Sequence, residues 1–119
     1  MILAYNAEKQ IGKCIESLLV QTYENIEILI VNDGSQDKTR YICEQYMQRD
    51  TRVRLINQEN GGEGNARNTG VKAACGKYLC FVDADDYVKP EFIESMVVHQ
   101  ESSKAGMVIC GFTELKDGR

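Results

Sequence analysis

Short apolar runs alternate along the chain with segments in which apolar residues recur every three or four positions. The apolar runs predict β-strands, at about residues 2–4, 26–31, 53–56, 77–82 and 107–112. The periodic segments predict helices between these strands, over about residues 7–20, up to about Arg49, around Ala66 to Ala74, and from about Pro90. Asn6 and Ser35 are residue types that cap helix N-termini, so we expect them to begin the first and second helices.

The regular alternation of strands and helices favours an α/β fold. It predicts a Rossmann-like, mostly parallel sheet with helices on both faces, in a single domain because the chain has 119 residues. Polar residues follow three of the predicted strands, as Tyr5-Asn6, Asp33-Gly34-Ser35 and Asp83-Ala84-Asp85-Asp86. Such sheets bind ligands at the carboxyl ends of their strands, where the strand order reverses. The candidate site therefore lies at this edge of the sheet.

The acidic cluster after the fourth predicted strand has two interpretations. In an extended segment Asp83 and Asp85 point to one side and Asp86 to the other. Two carboxylates about 4 Å apart repel by about 1 kcal/mol in water and by about 4 kcal/mol at an effective dielectric near 20. A solvated turn tolerates the smaller value, whereas a cleft needs a cation, for which Mg²⁺ or Mn²⁺ is suited. Both interpretations stay open on these residues alone.

Asp33 and Arg67 are further candidates, each with a structural alternative. Asp33 lies in a turn sequence, where it can serve the turn itself or accept the imide N–H of a pyrimidine base. Arg67 follows the glycine-rich stretch 60–64, where it can bind a base or a phosphate or lie on a helix surface. The stretch is not a dinucleotide fingerprint, because Arg67 stands where the last glycine belongs.

Charge and composition exclude several classes of function. The net charge is −4, which disfavours a nucleic-acid partner, and the longest apolar runs are too short to predict a membrane-spanning helix. The five cysteines form no CxxC pair, so we expect reduced thiols rather than a zinc site. A single histidine, His99, lies far from the strand ends and offers no Ser/His/Asp or Cys/His arrangement.

The segments taken together resemble the family 2 glycosyltransferases, enzymes of the GT-A fold. The first motif is AYNAE at 4–8, similar to the family's PxYNxE. The second is IESLLVQTYENIEILIVNDGSQDKT at 15–39, similar to its helix, QTY turn, strand and DDGSxD motif. The third is NGGEGNARNTGVKAACGKYLCFVDADDYVKPEF at 60–92, similar to its NxGxxxARNxG segment and DxD motif. The sequence departs from the pattern at Leu3, where the family has proline, and at Asn32, where it has the first acid.

The resemblance implies a role for each matching residue. A nucleotide pocket would be lined by Ala4, Tyr5, Asn6, Asp33, Arg67 and Asp83. Asp83 would reach the ribose and the metal shell, Asp85 would bind Mn²⁺ or Mg²⁺ at the diphosphate, and Asp86 is a weaker candidate. The family's general base lies in a later, acceptor-binding half, so we expect no catalytic base in this chain.

These roles predict an inverting, metal-dependent glycosyltransferase. It would move a sugar from a nucleotide-diphosphate sugar, expected to be a UDP-sugar, to an acceptor hydroxyl of a saccharide or lipid-linked saccharide. We expect residues 1–119 to form a single donor-binding domain, truncated at both ends and too incomplete for good activity by itself. Bacterial polysaccharide assembly in the cytoplasm, with membrane association only through parts outside this chain, would be typical of the family.

Two other functions are possible on this sequence, and each predicts a different set of residues or activities. A module that binds a nucleotide sugar without transferring it would keep the pocket and lack turnover. A signalling receiver domain has a similar fold and length, but it needs an acidic pair after the first strand and a lysine after the last. Tyr5-Asn6 and Cys110-Gly111-Phe112 stand at those places, so the receiver interpretation is poor.

Overall fold

A computed structural model describes residues 1–74 and 79–103. Strands and helices alternate, in the order β1 (Ile2–Ala4), α1 (Ile11–Leu19), β2 (Ile28–Asp33), α2 (Thr39–Arg49), β3 (Val53–Gln58), α3 (Glu63–Ala73), β4 (Val82–Asp83) and α4 (Phe92–Ser103). The predicted strand at 107–112 lies outside the described residues, as does the start of the strand predicted at 77–82.

The four strands form one parallel sheet in the order β3-β2-β1-β4. Ile2 of β1 is paired with Ile30 of β2 on one side and with Val82 of β4 on the other. β2 lies next to β1, and β3 lies next to β2 on the same side. β4 then pairs with the opposite side of β1. The strand order therefore reverses beside β1, and the predicted parallel α/β fold is confirmed.

Alternate strand residues face two separate cores, one on each side of the sheet. On one side Ile2, Ile30 and Val82 pack with Ile11 and Ile15 of α1, and residues of α2 and α4 complete this core. On the other side the strand and helix residues in contact are Leu29, Val31, Phe81 and, from α3, Ala66. Helices thus cover both faces, as the sequence predicts.

The predicted start of the first helix is wrong. The helix begins at Ile11 rather than near Ala7, because the N–H groups of Gln10 and Ile11 both donate to the carbonyl of Ala7, 3.0 and 2.8 Å away, and close a turn first. Asn6 does not cap this helix. Its backbone has a φ of 49°, in the left-handed region, and its side chain bonds to another loop.

The second strand and the second helix are also displaced from their predicted positions. β2 ends at Asp33, two residues later than predicted, and α2 begins at Thr39 rather than after Ser35. Lys38 is at the N-cap position and makes no side-chain capping bond, but Asp37, one residue earlier, accepts the N–H of Thr39 on Oδ1 at 2.9 Å. In the part of the chain that the structure describes, no helix has both the length and the apolar character needed to cross a bilayer.

Candidate functional site

A cavity of about 530 Å³ opens at the carboxyl ends of β1, β2 and β4. Its wall contains seven of the eight residues that the sequence suggests for the nucleotide or the metal, namely Ala4, Tyr5, Asn6, Asp33, Arg67, Asp83 and Asp85. The parallel sheet and its order reversal bring these residues together from the ends of β1, β2 and β4 and from helix α3. Asp86 is not on the wall, and the chemical roles of all eight residues stay predictions.

The acid turn, residues 83–86, is the most charged part of this wall. The N–H of Asp86 donates to the carbonyl of Asp83 at 3.0 Å, so the segment forms a turn directly after the predicted strand at 77–82. One carboxylate oxygen from each of Asp83, Asp85 and Asp86 lies within 4.8 Å of the other two. Asp83 and Asp85 line the cavity and Asp86 does not, yet the turn keeps the Asp86 carboxylate close to the other two.

The acid turn carries more negative charge than its surroundings readily tolerate. Burial raises the pKa of Asp83, and the neighbouring charges of Asp85 and Asp86 raise it further. The side chain of Asp86 is only 2% exposed. Oxygen donors in this arrangement are those that Mg²⁺ and Mn²⁺ prefer, so the residues present fit a divalent cation.

Asp33 is a buried carboxylate at the end of β2, and its hydrogen-bond donors come from the last residue of β3 and from the loop that follows it. Gln58 Nε2 and the N–H of Gly61 donate to Oδ1 at 2.9 and 3.0 Å, and the N–H of Gly62 donates to Oδ2 at 3.0 Å. Burial alone would raise the pKa of Asp33, but these three hydrogen bonds outweigh it and hold the pKa below its usual value. The carboxylate is therefore charged at neutral pH while it lines the cavity.

Tyr5 and Asn6 are fixed at the cavity by bonds to the loop after β2. The N–H of Asn6 donates to Ser35 Oγ at 2.9 Å, and Asn6 Oδ1 accepts the N–H of Gln36 at 2.8 Å. Next to them, the N–H of Ala7 donates to Thr39 Oγ1 at 2.8 Å. These bonds use the Oδ1 of Asn6, whereas Tyr5 is 52% exposed and available to a ligand.

Arg67, also on the cavity wall, lies between the carboxylate of Glu63 and the aromatic ring of Phe81. Its Nη2 donates to Glu63 Oε1 at 2.9 Å, and its guanidinium lies 5.2 Å from the centre of the Phe81 ring. The ion pair with Glu63 joins solvent-exposed side chains four residues apart on one helix, and such pairs contribute little. Arg67 can therefore exchange this partner for an anionic ligand at small cost.

Several residues of the site do not stand out in the sequence. Gln58 and the backbone of Gly61 and Gly62 bind Asp33, and Thr39 fixes the loop that carries Tyr5. Phe81 is predicted only as part of an apolar strand. The sequence gives no local signal of these hydrogen bonds, because each joins residues that are 25 to 32 positions apart.

The whole chain, residues 1–119, matches the family model described as Glycosyl transferase family 2. The chain belongs to this family. Among curated family relatives, the uncharacterized glycosyltransferase EpsJ of Bacillus subtilis is 47% identical over 115 residues, which are 97% of this chain and 33% of EpsJ. Glycosyltransferase GlyG of Streptococcus pneumoniae is 44% identical over 106 residues, 88% of this chain and 35% of GlyG. The chain spans about a third of the length of these relatives.

Solved structures have the same fold as this chain. S. aureus TarS 1–349 in complex with UDP superposes with a TM-score of 0.78 and 30% identity, covering 86% of this chain and 31% of that chain. The same TarS segment in complex with UDP-GlcNAc gives a TM-score of 0.78 and 31% identity, covering 85% of this chain and 30% of that chain. The predicted family and the GT-A type of fold are both confirmed.

Proposed function

We propose that this chain is the donor-binding part of an inverting, metal-dependent glycosyltransferase that uses a UDP-sugar. The observation that carries the proposal is the cavity, whose wall joins a charged, buried Asp33, the open ring of Tyr5, Arg67 and the acid turn. Binding of UDP and UDP-GlcNAc by the TarS structures supports the choice of nucleotide.

Asp33 would select the base. A carboxylate has about four lone-pair positions, and Gln58, Gly61 and Gly62 use three of them. One position remains for the imide N–H of uracil, and the charge on Asp33 makes that hydrogen bond a strong one. The exposed ring of Tyr5 offers a surface for the base on the same wall.

The acid turn would hold the cation and Arg67 would contact the anionic part of the donor. Asp83 and Asp85 lie on the cavity wall, where they would supply carboxylate oxygens for Mn²⁺ or Mg²⁺, and Asp83 would also reach the ribose. A cation bound there would neutralise part of the charge that develops on the departing UDP. Without a cation, the acid turn would repel a diphosphate, so donor binding should require the metal.

In the transfer itself, an acceptor hydroxyl oxygen would form a bond to the anomeric carbon as the bond from that carbon to the UDP oxygen breaks. The hydroxyl proton would pass to a carboxylate acting as general base, and the attack from the opposite face inverts the configuration. We assign no base among residues 1–74 and 79–103. A saccharide or lipid-linked saccharide as acceptor, polysaccharide assembly and a cytoplasmic location stay predictions.

The proposed preference for uracil can be tested most directly by comparing UDP with CDP, which differ only at the base. We expect the protein with Mn²⁺ to bind UDP at least about tenfold more tightly than CDP, because the N3 of cytosine is an acceptor and would face the Asp33 carboxylate. Isothermal titration calorimetry with UDP, CDP, ADP and GDP measures the difference.

The matched variants are Asp33→Asn and Asp50→Asn. Asp33→Asn turns an amide N–H₂ toward the Gln58, Gly61 or Gly62 donors, and it should remove the preference for UDP over CDP. Asp50 binds Arg52 and is not on the cavity wall, so Asp50→Asn should leave the preference unchanged. Equal affinities for UDP and CDP in the unchanged protein would contradict uracil selection by Asp33.

The second candidate is a nucleotide-sugar-binding module without transfer activity. The chain spans about a third of its curated relatives, and this length favours the module for residues 1–119 taken alone. Release of UDP from UDP-sugars in the presence of Mn²⁺ separates the two candidates, because only a transferase or its side reaction with water produces free UDP.

A further inference from the structure

A buried glutamine outside the cavity links the end of α1 to the chain that follows the acid turn. Gln21 is 4% exposed. Its Nε2 donates to the carbonyls of Lys89 and Ser17, at 2.7 and 3.0 Å, and its Oε1 accepts the N–H of Ile93 at 2.9 Å. Both ends of the amide are thus used, and two of the three bonds reach the segment 88–93.

Neighbouring residues of the same helix end strengthen this link. Ser17 Oγ accepts the N–H of Val88 at 3.2 Å and donates to the carbonyl of Cys14 at 2.7 Å. The N–H of Thr22 donates to the carbonyl of Pro90 at 2.8 Å. Gln21, Ser17 and Thr22 together form what we call the helix-end clamp on segment 88–93.

The acid turn lies between this clamp and a second attachment to α1. Cys14 Sγ lies 3.5 Å from the carbonyl oxygen of Asp83, at the start of the turn, and the clamp holds Val88, two residues beyond its end. Between these points the three acids of the turn are kept within 4.8 Å of one another against their mutual repulsion. The repulsion would be relieved most simply if the turn opened. Because both of its flanks are held by hydrogen bonds, the turn cannot open freely.

We propose that Gln21 is a positioning residue for donor binding, which holds the acid turn in the arrangement that receives a divalent cation. It does so without touching the cavity, since it is buried beneath the segment that follows the turn. This inference rests on the proposed function, because it assigns the geometry of the cation site to a residue outside it. Groups that orient metal ligands in this way commonly change metal affinity by about 10- to 100-fold when they are removed.

The test compares Gln21→Met with Val53→Ala. Gln21→Met keeps the volume but leaves the Lys89 carbonyl and the Ile93 N–H without their partner, so the acid turn should loosen. Val53 is buried in the core that α1 helps to form, but it lies in β3, away from the turn. Val53→Ala should therefore destabilise the protein without moving the acids. We expect Mn²⁺ affinity, measured by electron paramagnetic resonance without nucleotide, to fall by about tenfold or more in Gln21→Met and to change by less than about twofold in Val53→Ala.

A milder variant and a second measurement keep the test decisive. Ser17→Ala removes only the hydroxyl that accepts the Val88 N–H, so it should weaken Mn²⁺ binding by a few-fold while the protein stays folded. Amide hydrogen exchange at Asp86 reports the order of the turn without any metal, and it should accelerate in Gln21→Met and Ser17→Ala but not in Val53→Ala.

The possible results separate the inference from the proposed function. If the unchanged protein binds no Mn²⁺, with or without UDP, the proposed function fails, and the exchange data alone still show whether Gln21 orders the turn. If the unchanged protein binds Mn²⁺ and Gln21→Met binds it equally well, the positioning role is overturned while the proposed function stands. Equal losses in Gln21→Met and Val53→Ala would also overturn the positioning role, because they would reflect stability alone.

Discussion

Replacing Asp85 with asparagine should weaken Mn²⁺-dependent binding of UDP by about a hundredfold. Asp85 lies on the cavity wall, and its carboxylate is within 4.8 Å of those of Asp83 and Asp86. The substitution keeps the shape of the side chain but removes one negative charge from the proposed cation site. A cation that binds less firmly no longer offsets the repulsion between the remaining acids and the diphosphate.

Calorimetry with UDP, in the presence of Mn²⁺ and again with a chelator, measures this effect. The unchanged protein should lose nearly all affinity when the cation is removed, and Asp85→Asn should bind weakly in both conditions. Asp50→Asn is the matched control, because it makes the same chemical change at a carboxylate that binds Arg52 outside the cavity wall. Equal UDP affinity with and without chelator would overturn the metal-dependent proposal.

The sequence predicts that the candidate residues meet at one edge of the sheet, because this placement depends on the periodicity of apolar residues. Apolar runs of strand length alternate with helical patterns, and this alone indicates a parallel sheet whose polar strand ends meet at one edge. Tyr5, Asp33 and Asp83 follow three different strands, and the structure places them on one cavity wall. No knowledge of individual contacts is needed for this step.

The conformation of the loops is predicted much less well, since contacts between loops determine it. Asn6 is a favourable N-cap by residue type, yet its amide bonds to Gln36 and its backbone takes a left-handed φ of 49°. A turn at residues 83–86 is one of the two interpretations that the sequence leaves open, but the close approach of its three carboxylates is seen only in the structure. Local conformational propensity is a weak guide where a hydrogen bond to a distant segment stabilises a different conformation by more than that propensity.

Asp33 shows the same limit in a different way. Its place at the end of a strand and its charge both follow from the sequence, but its three donors lie beyond helix α2. They are Gln58 at the end of β3, and Gly61 and Gly62 in the loop after it. The structure therefore adds a dependence that the motif alone does not contain. The hydrogen bonding of Asp33 in the proposed base site depends on the conformation of the glycine-rich loop after β3.

This dependence gives the last prediction, for Gly34→Ala. Gly34 has a φ of 74°, which disfavours any residue with a Cβ, and a Cβ built there would lie 2.6 Å from the backbone nitrogen of Asn60. The backbone strain and this clash should lower the free energy of unfolding by roughly 2–4 kcal/mol. Any relief must push Asn60 away, and with it Gly61 and Gly62, so Asp33 should lose backbone donors and UDP binding should weaken as well.

Urea denaturation followed by circular dichroism measures the loss of stability, and calorimetry with UDP and Mn²⁺ measures the loss of affinity. Gly64→Ala is the matched control, because a Cβ at Gly64 meets no atom within 4 Å and the residue lies in the first turn of α3. It should leave stability unchanged or raise it by up to about 1 kcal/mol. If Gly34→Ala were as stable as Gly64→Ala and bound UDP equally well, the close approach of Asn60 to Gly34 would not be what holds the glycine-rich loop against Asp33.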